Sequence, residues 1–232
     1  MAKKVKGREL KEVVVEQDEV TSEEESSPVL AFFEKNRNAL LIGGGALVVV
    51  ILGVLGFNYF RGAKNTEAEA EMFHAVQYFE ADSLRLALDG DGSYMGFLEV
   101  ADNYPGTKAA NLANYYIGVI YLQQGDTENG IEYLERFSTG DNMLSMAAYM
   151  ALGFAWEDKD DPAKAADYFE RAAYTPKENK ETTPFMLMHA GRNYEAAGKP
   201  EKALKVYETI RDEYPLSQEG SAIDKYIGRV TK

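Results

Sequence analysis

Hydrophobic and polar positions divide the chain into an N-terminal apolar stretch and a longer amphipathic region. No residue between Asn38 and Phe60 carries a charge, and Ala39 to Phe57 is uniformly apolar or glycine. A helix rises about 1.5 Å per residue, so roughly 20 apolar residues cross a hydrocarbon core of about 30 Å. The consecutive glycines Gly43, Gly44 and Gly45 disfavour a helix in water but are better tolerated in a membrane. The pattern predicts a single transmembrane helix over residues 39–60.

The position and flanks of this stretch favour an uncleaved signal anchor. It begins behind a long charged tail and exceeds the apolar run of a cleaved signal peptide. Basic residues balance at its two ends, and the N-terminal tail adds several more: Lys3, Lys4, Lys6, Arg8 and Lys11. The positive-inside rule then places the N-terminus in the cytoplasm and the large C-terminal body outside. We predict a disordered tail over residues 1–27 and a juxtamembrane and transmembrane helix over 28–61, starting at Ser27-Pro28.

Internal repetition organises residues 66–232. Three glycines, Gly118, Gly153 and Gly191, recur at intervals of 35 and 38 residues. Each is followed by a small residue at an offset of 12 and by a large one at an offset of 16; the large residues are Leu134, Phe169 and Tyr207. Small residues suit places where two helices approach closely, and large ones fill the space between neighbouring pairs. We expect Gly153 at a close helix–helix crossing, on the face opposite Phe169.

This pattern resembles the tetratricopeptide repeat, a helix–turn–helix unit of about 34 residues. The resemblance implies an all-α fold, in which the transmembrane helix is followed by an α-solenoid. Two junctions, Tyr104-Pro105-Gly106-Thr107 and Tyr214-Pro215-Leu216-Ser217, match each other. In each, proline ends one helix and the hydroxyl residue caps the next. The predicted units are an irregular first unit over 66–106, repeats over 107–142, 143–179 and 183–216, and a capping helix over 217–230.

Composition and motifs argue against catalysis and against metal or cofactor binding. The chain has no cysteine and only two histidines, His74 and His189, for which a structural role is favoured. It contains no nucleophile elbow, P-loop, dinucleotide fingerprint or zincin motif. A formal net charge of −13 disfavours nucleic-acid binding, which needs basic residues at the phosphates. We therefore expect no enzyme, no cofactor, no metal and no small-molecule substrate. The acidic turn at Asp89-Gly90-Asp91-Gly92 and the acidic run over 157–161 are interpreted as solvated turns.

What remains is a protein-binding surface. In tetratricopeptide repeats the first helix of each pair lines a concave groove. Counting from the repeat glycines predicts a largely apolar groove, formed by Leu112, Tyr115, Val119, Leu122, Met150, Phe154, Phe185, Met188 and Arg192. Methionine adapts to varied apolar partners, whereas the lysines and asparagines of a carboxylate clamp are missing. The alternative is that the protein's own helices cover these residues.

The overall layout of the chain makes the family resemblance more specific than the repeats alone. A charged tail, one N-terminal span and a repeat domain with Tyr-Pro-x-Ser/Thr junctions are similar to the YfgM-like family. That family consists of bacterial inner-membrane proteins, ancillary subunits of the SecYEG translocon that work beside the chaperone PpiD. The resemblance implies a periplasmic adapter or chaperone-like protein that meets unfolded clients. Two alternatives stay open: a scaffold bridging envelope complexes of the outer-membrane assembly or Tol-Pal type, and a cytosol-facing tetratricopeptide receptor.

Overall fold

The computed structural model describes Phe32 and residues 35–137, 140, 143–175 and 179–232. The chain divides into two units, Met1–Leu55 and Gly56–Lys232. The predicted disordered tail over 1–27 and the predicted helix start at Ser27-Pro28 lie outside the described residues.

The first helix, α1, spans Arg37–Glu80 and carries the apolar stretch. In the first unit its large apolar side chains between Leu40 and Leu55 are all exposed. Within the described residues it is the one helix that is long and apolar enough to cross a membrane, over Leu40–Glu80. The sequence prediction of a long N-terminal apolar helix is therefore confirmed.

In the second unit the rest of the chain forms antiparallel helices joined by short turns. The described residues of this unit form no β-strand. An isolated antiparallel β-bridge joins Gly90 and Met95. The predicted all-α, tetratricopeptide-type solenoid is confirmed. After α1 the helices are α2 (Leu84–Asp89), α3 (Phe97–Asn103), α4 (Lys108–Gln123), α5 (Thr127–Arg136), α6 (Met143–Asp158), α7 (Pro162–Ala173), α8 (Thr183–Ala196), α9 (Pro200–Glu213) and α10 (Ile223–Val230), the last preceded by a 3-10 turn at Gly220–Ala222.

The repeat glycines lie where the two helices of a pair come closest. A Cβ atom added at Gly118 would lie 2.6 Å from Leu134 Cγ, and one at Gly153 would lie 2.8 Å from the Phe169 ring. At Gly191 the nearest atom, in the Tyr207 ring, would be 2.2 Å away. These distances are shorter than any normal carbon–carbon contact. The large residue 16 positions after each repeat glycine therefore packs on the backbone that the glycine leaves uncovered.

One detail of the predicted packing is wrong. The sequence analysis places Gly153 on the face opposite Phe169. Instead, the Phe169 ring rests directly on Gly153, and it is fully buried. The reason is geometric: the residue at offset 16 lies on the antiparallel partner helix, at the level of the glycine. The Phe169 side chain therefore packs on the glycine of its own pair, and the same ring also meets His189 of the next pair at a centroid distance of 4.9 Å.

Side-chain caps begin several helices, as the Tyr-Pro junctions predict. The Thr107 hydroxyl accepts a hydrogen bond from the Ala110 amide at 3.1 Å and donates to the Tyr104 carbonyl at 2.8 Å. At the second junction the Ser217 hydroxyl accepts from the Gly220 amide at 2.9 Å, at the start of the 3-10 turn. The capping role of Thr107 is confirmed, but that of Ser217 is not: its hydroxyl bonds an amide of the 3-10 turn, while α10 begins only at Ile223, after Ala222, without a side-chain cap. The structure adds Asp126 and Asp161, whose carboxylates cap α5 and α7.

A side-chain clasp holds α10 against α8. The Arg229 guanidinium donates two hydrogen bonds of 2.6 Å to the Glu195 carboxylate, and the Tyr207 hydroxyl donates to the same group. The rings of Tyr207 and Tyr226 pack with their centroids 5.5 Å apart. Burial raises the pKa of Glu195, but the hydrogen bonds from Arg229 and Tyr207 outweigh it, so the pKa lies below its usual value. The carboxylate is thus more stable in the folded chain than in the unfolded one.

The first prediction tests the glycine crossing. Gly153→Leu forces four side-chain carbons into the space of the Phe169 ring, and such overpacking costs about 1–3 kcal/mol or more. Gly228 on α10 has no atom within 4 Å of its added Cβ, so Gly228→Leu is the matched control and should not lower stability. Thermal melts of both variants check this. Equal melting midpoints for the two variants would mean that the partner helix does not pack on Gly153.

The second prediction concerns acid stability. A carboxylate with a lowered pKa stabilises the fold above the usual glutamate pKa, and this contribution is lost as the pH falls through the folded-state value. Glu195→Gln should remove about 1 kcal/mol at neutral pH, since Arg229 is half exposed, and lower the melting temperature by about 2–4 °C. At pH 3 the variant and the parent should melt closer together. Glu213→Gln, at an exposed position, should melt like the parent at both pH values. A difference in melting temperature between the two proteins that stays constant with pH would show that the Glu195 carboxylate does not stabilise the fold.

Candidate functional site

The nine predicted groove residues all lie on the first helix of a pair. Leu112, Tyr115, Val119 and Leu122 lie on α4, Met150 and Phe154 on α6, and Phe185, Met188 and Arg192 on α8. Their exposure is uneven. Phe154 is 37% exposed and Phe185 is 40% exposed, and Arg192 is also exposed, while the other six are half-buried. The binding role of the nine residues remains a prediction, but the structure separates them into two groups.

The α4 residues pack against the protein's own helices. Leu112 packs against the core formed with α1 and α3, and Val119 against the core formed by α5 and α6. Leu122 lies on Gly130, whose added Cβ would be 2.4 Å from Leu122 Cδ2. The rings of Tyr115 and Phe137 have centroids 5.6 Å apart. At this end the apolar side chains have partners on the protein's own helices, as the alternative of a covered groove describes.

The α6 and α8 residues form an aromatic cluster that reaches the surface. The buried Phe169 ring supports Phe154 from below, edge-on, at a centroid distance of 4.9 Å. His189 bridges the two exposed phenylalanines, with centroids 5.2 Å from Phe154 and 4.7 Å from Phe185. Met150 and Met188 pack against the same core. We call Phe154, Phe185, His189, Met150 and Met188 the aromatic patch.

Sequence reasoning missed the part that His189 plays in this patch. It assigned His189 a structural or partly exposed role, on the strength of its apolar neighbours. His189 follows Phe185 by four residues, so the two share a face of α8. Its distance from Phe154 depends on how α8 lies beside α6, which the spacing along one helix does not report.

A polar edge borders the patch on α6. The Glu157 carboxylate accepts a hydrogen bond from Asn193 Nδ2, and its Oε1 lies 3.7 Å from His189 Nδ1. Asn193 Nδ2 also donates to the His189 carbonyl at 3.0 Å. Glu157 is one turn beyond Phe154 and shares its face of α6. The aromatic patch is therefore an apolar surface with the Glu157 carboxylate at its edge.

Tyrosine hydroxyls bind carboxylates on neighbouring helices elsewhere in the unit. Tyr168 donates to Glu135 at 2.9 Å, and Tyr194 donates to Glu170 at 2.6 Å. Burial, followed by the hydrogen bond to Glu135, raises the pKa of Tyr168 to about 12. Burial and the hydrogen bonds to carboxylates also raise the pKa of Tyr194. These hydroxyls therefore stay protonated and act as donors, which makes them structural links between helices.

The acidic segments make local hydrogen bonds. Asp91, in the acidic turn over 89–92, accepts from the Tyr78 hydroxyl at 2.7 Å and from the amides of Ser93 and Tyr94 at 2.8 Å. In the run over 157–161, Asp161 caps α7 and Glu157 borders the patch. Among the described residues, no group of three or more histidine, aspartate and glutamate side chains is arranged to hold a metal ion.

Comparison with known proteins supports the repeat assignment. The family model "Tetratricopeptide repeat" matches residues 112–139 and 186–217. Two crystal structures of nearly identical tetratricopeptide-like repeats from a Podosopora anserina kinesin light chain protein are similar to this chain. They share 12% and 14% sequence identity with it at TM-scores of 0.49 and 0.48; each covers 72% of this chain, and the matches span 85% and 86% of their own length. None of the curated protein sequences compared with the chain matches it. The chain carries tetratricopeptide repeats, and such repeats form protein–protein interaction modules.

Proposed function

We propose that the protein is a membrane-anchored interaction module that binds apolar segments of other proteins at the aromatic patch. The observation that carries this proposal is the exposure of two phenylalanines on successive repeats, both in contact with His189. Phe154 and Phe185 leave 37% and 40% of their surface open above a fully buried Phe169. Large aromatic side chains on a rigid support are the residues that dominate binding energy at interfaces.

The size of the patch indicates weak and transient binding. A phenylalanine buries roughly 200 Å² in a complete contact, so each of the two has about 80 Å² left to offer a partner. At about 25 cal/mol per Å² the pair contributes about 4 kcal/mol, a millimolar affinity before the costs of association. The flexible Met150 and Met188 beside them accommodate side chains of different shape. These properties suit an adapter or chaperone-like protein that meets many clients briefly.

The anchor and the location complete the proposal. The apolar part of α1 would hold the protein in a bacterial inner membrane as a single-pass anchor, with the N-terminus in the cytoplasm and the repeats in the periplasm. The similarity to the YfgM-like family suggests SecYEG, a PpiD-like chaperone and unfolded clients as partners. No catalytic step is part of this function. A stable scaffold between envelope complexes, by contrast, would need a larger interface than the patch provides.

The third prediction tests the patch. Phe154→Asp places a charge where an apolar side chain must dock, so binding of an unfolded client should fall at least tenfold. Folding should survive, because the ring is partly exposed already; we expect a loss of about 1–2 kcal/mol in stability. Client capture and the thermal melt are measured on the same variant in the full chain.

Tyr174→Glu is the matched control. Tyr174 is 42% exposed at the C-terminal end of α7, outside the patch, so this variant should bind clients almost normally. If Phe154→Asp instead unfolds the chain before any client is added, the patch belongs to the core. If the parent chain does not slow the aggregation of an unrelated unfolded protein, the scaffold alternative replaces client handling.

The fourth prediction tests the anchor and its orientation. A phosphatase that is active only outside the cytoplasm is fused after Lys232 and expressed in a bacterial host. The fusion should be active and should stay in the membrane after alkaline carbonate extraction. Deleting residues 39–57 should abolish the activity, because the body then lacks its export signal. An active cytoplasmic reporter at the same position would support the cytosol-facing receptor instead.

A further inference from the structure

We propose that a basic cleft where α1 meets the start of α4 binds the headgroup of an anionic phospholipid. This inference rests on the membrane anchor of the proposed function. The cleft is lined by Arg61, Asp102, Thr107, Lys108, Asn114 and Arg136, and it holds about 520 Å³. That volume lies within the range of small-ligand sites. Unlike the aromatic patch, its lining carries charge, namely three cations and one carboxylate, between small apolar residues.

Two hydrogen-bonded contacts bring the cations together. The Arg61 side chain donates from Nε to the Gly106 carbonyl. Asn65, one turn further along α1, accepts from the backbone amides of Lys108 at 2.7 Å and Ala109 at 3.1 Å. The N-terminus of α4 is therefore fixed beside α1, and the Lys108 side chain opens into the same cleft as Arg61.

The charges in this cleft are incompletely neutralised. Among the described residues, no carboxylate lies within 4.0 Å of the cationic groups of Arg61, Lys64 or Lys108. Lys64 does not line the cleft but lies beside it, three residues after Arg61 on α1. Arg136 is paired with Glu132. In a chain of net charge −13, Arg61 and Lys108 are neighbouring cations without a carboxylate partner among the described residues, and they attract an anion.

The position along α1 identifies the source of that anion. Phe57, Tyr59 and Phe60 are exposed apolar and aromatic side chains immediately before Arg61. Aromatic residues of this kind mark the membrane–water interface. Phe57 and Arg61 are four residues apart on one helix, or about 6 Å along its axis, which is about the thickness of a headgroup layer. Lipid phosphates therefore lie at the level of the cleft, and a phosphatidylglycerol headgroup is the chemistry that fits it.

The test uses the full chain in nanodiscs of phosphatidylcholine and phosphatidylglycerol, with native mass spectrometry of the lipids that stay bound. The parent chain should retain phosphatidylglycerol in preference to phosphatidylcholine. A cation near a lipid surface changes binding by on the order of fivefold, so Lys108→Gln should lower this preference about fivefold. Lys64→Gln, which disturbs no contact among the described residues, should lower it similarly. Lys205→Gln, an exposed lysine on α9, is the matched control and should leave it unchanged.

Each other result has a distinct meaning. Equal retention of the two lipids by the parent chain, or no effect of Lys108→Gln and Lys64→Gln, overturns the lipid site. Complete displacement of the lipid by an excess of inorganic phosphate overturns it in favour of a site for free phosphate. Release of the chain from the discs in alkaline carbonate would instead refute the membrane anchor, and the lipid site with it. An inserted chain without a lipid preference refutes the lipid site alone.

Discussion

The missing side chain at each repeat glycine sets the distance between the two helices of a pair. At Gly118, Gly153 and Gly191 a large side chain from the partner helix rests on bare backbone, closer than any Cβ atom would permit. This contact leaves no free space, so it fixes the register of the pair. It also places the Phe169 ring under Phe154 and His189, and the exposed aromatic patch is built on that support. A methyl group at Gly153 would therefore be felt at the surface as well as in the core.

Hydrogen bonds from tyrosine form the second level of organisation. The chain has 15 tyrosines and 38 acidic residues. Several pair across helices: Tyr104 with Glu67, Tyr168 with Glu135, Tyr194 with Glu170 and Tyr207 with Glu195. A hydroxyl donating to a carboxylate forms a strong hydrogen bond without burying a full ion pair. The acidic excess thus serves in part to join successive helices, in addition to keeping the surface soluble.

Periodic features of the sequence predict the fold, because they reflect contacts within one pair. The glycine offsets give the helical pairs, and Thr107 gives the cap of α4, since each depends on residues close in sequence. Contacts between pairs are different. His189 meets Phe154 only after two pairs have docked. Within a pair, the covering of Gly130 by Leu122 needs the side-chain direction as well as the spacing. The nine groove residues could therefore be assigned to the correct helices, whereas the sequence alone could not distinguish the exposed Phe154 and Phe185 from the packed Leu122.

The clasp at the C-terminus affects how the repeat array opens. A helix of eight residues, such as α10, is not stable alone in water, so its order depends on Glu195, Tyr207 and the Tyr226 ring. In a linear array of repeats, the weakest contact between a unit and its neighbours sets the rate at which the amide hydrogens of that unit exchange. The ends of the array normally fray first. Because Arg229 reaches back past α9 to α8, α10 cannot detach without exposing the Tyr207 ring. Amides of α8, α9 and α10 should then share a single opening event, and the last three helices form one cooperative exchange unit in place of a frayed end.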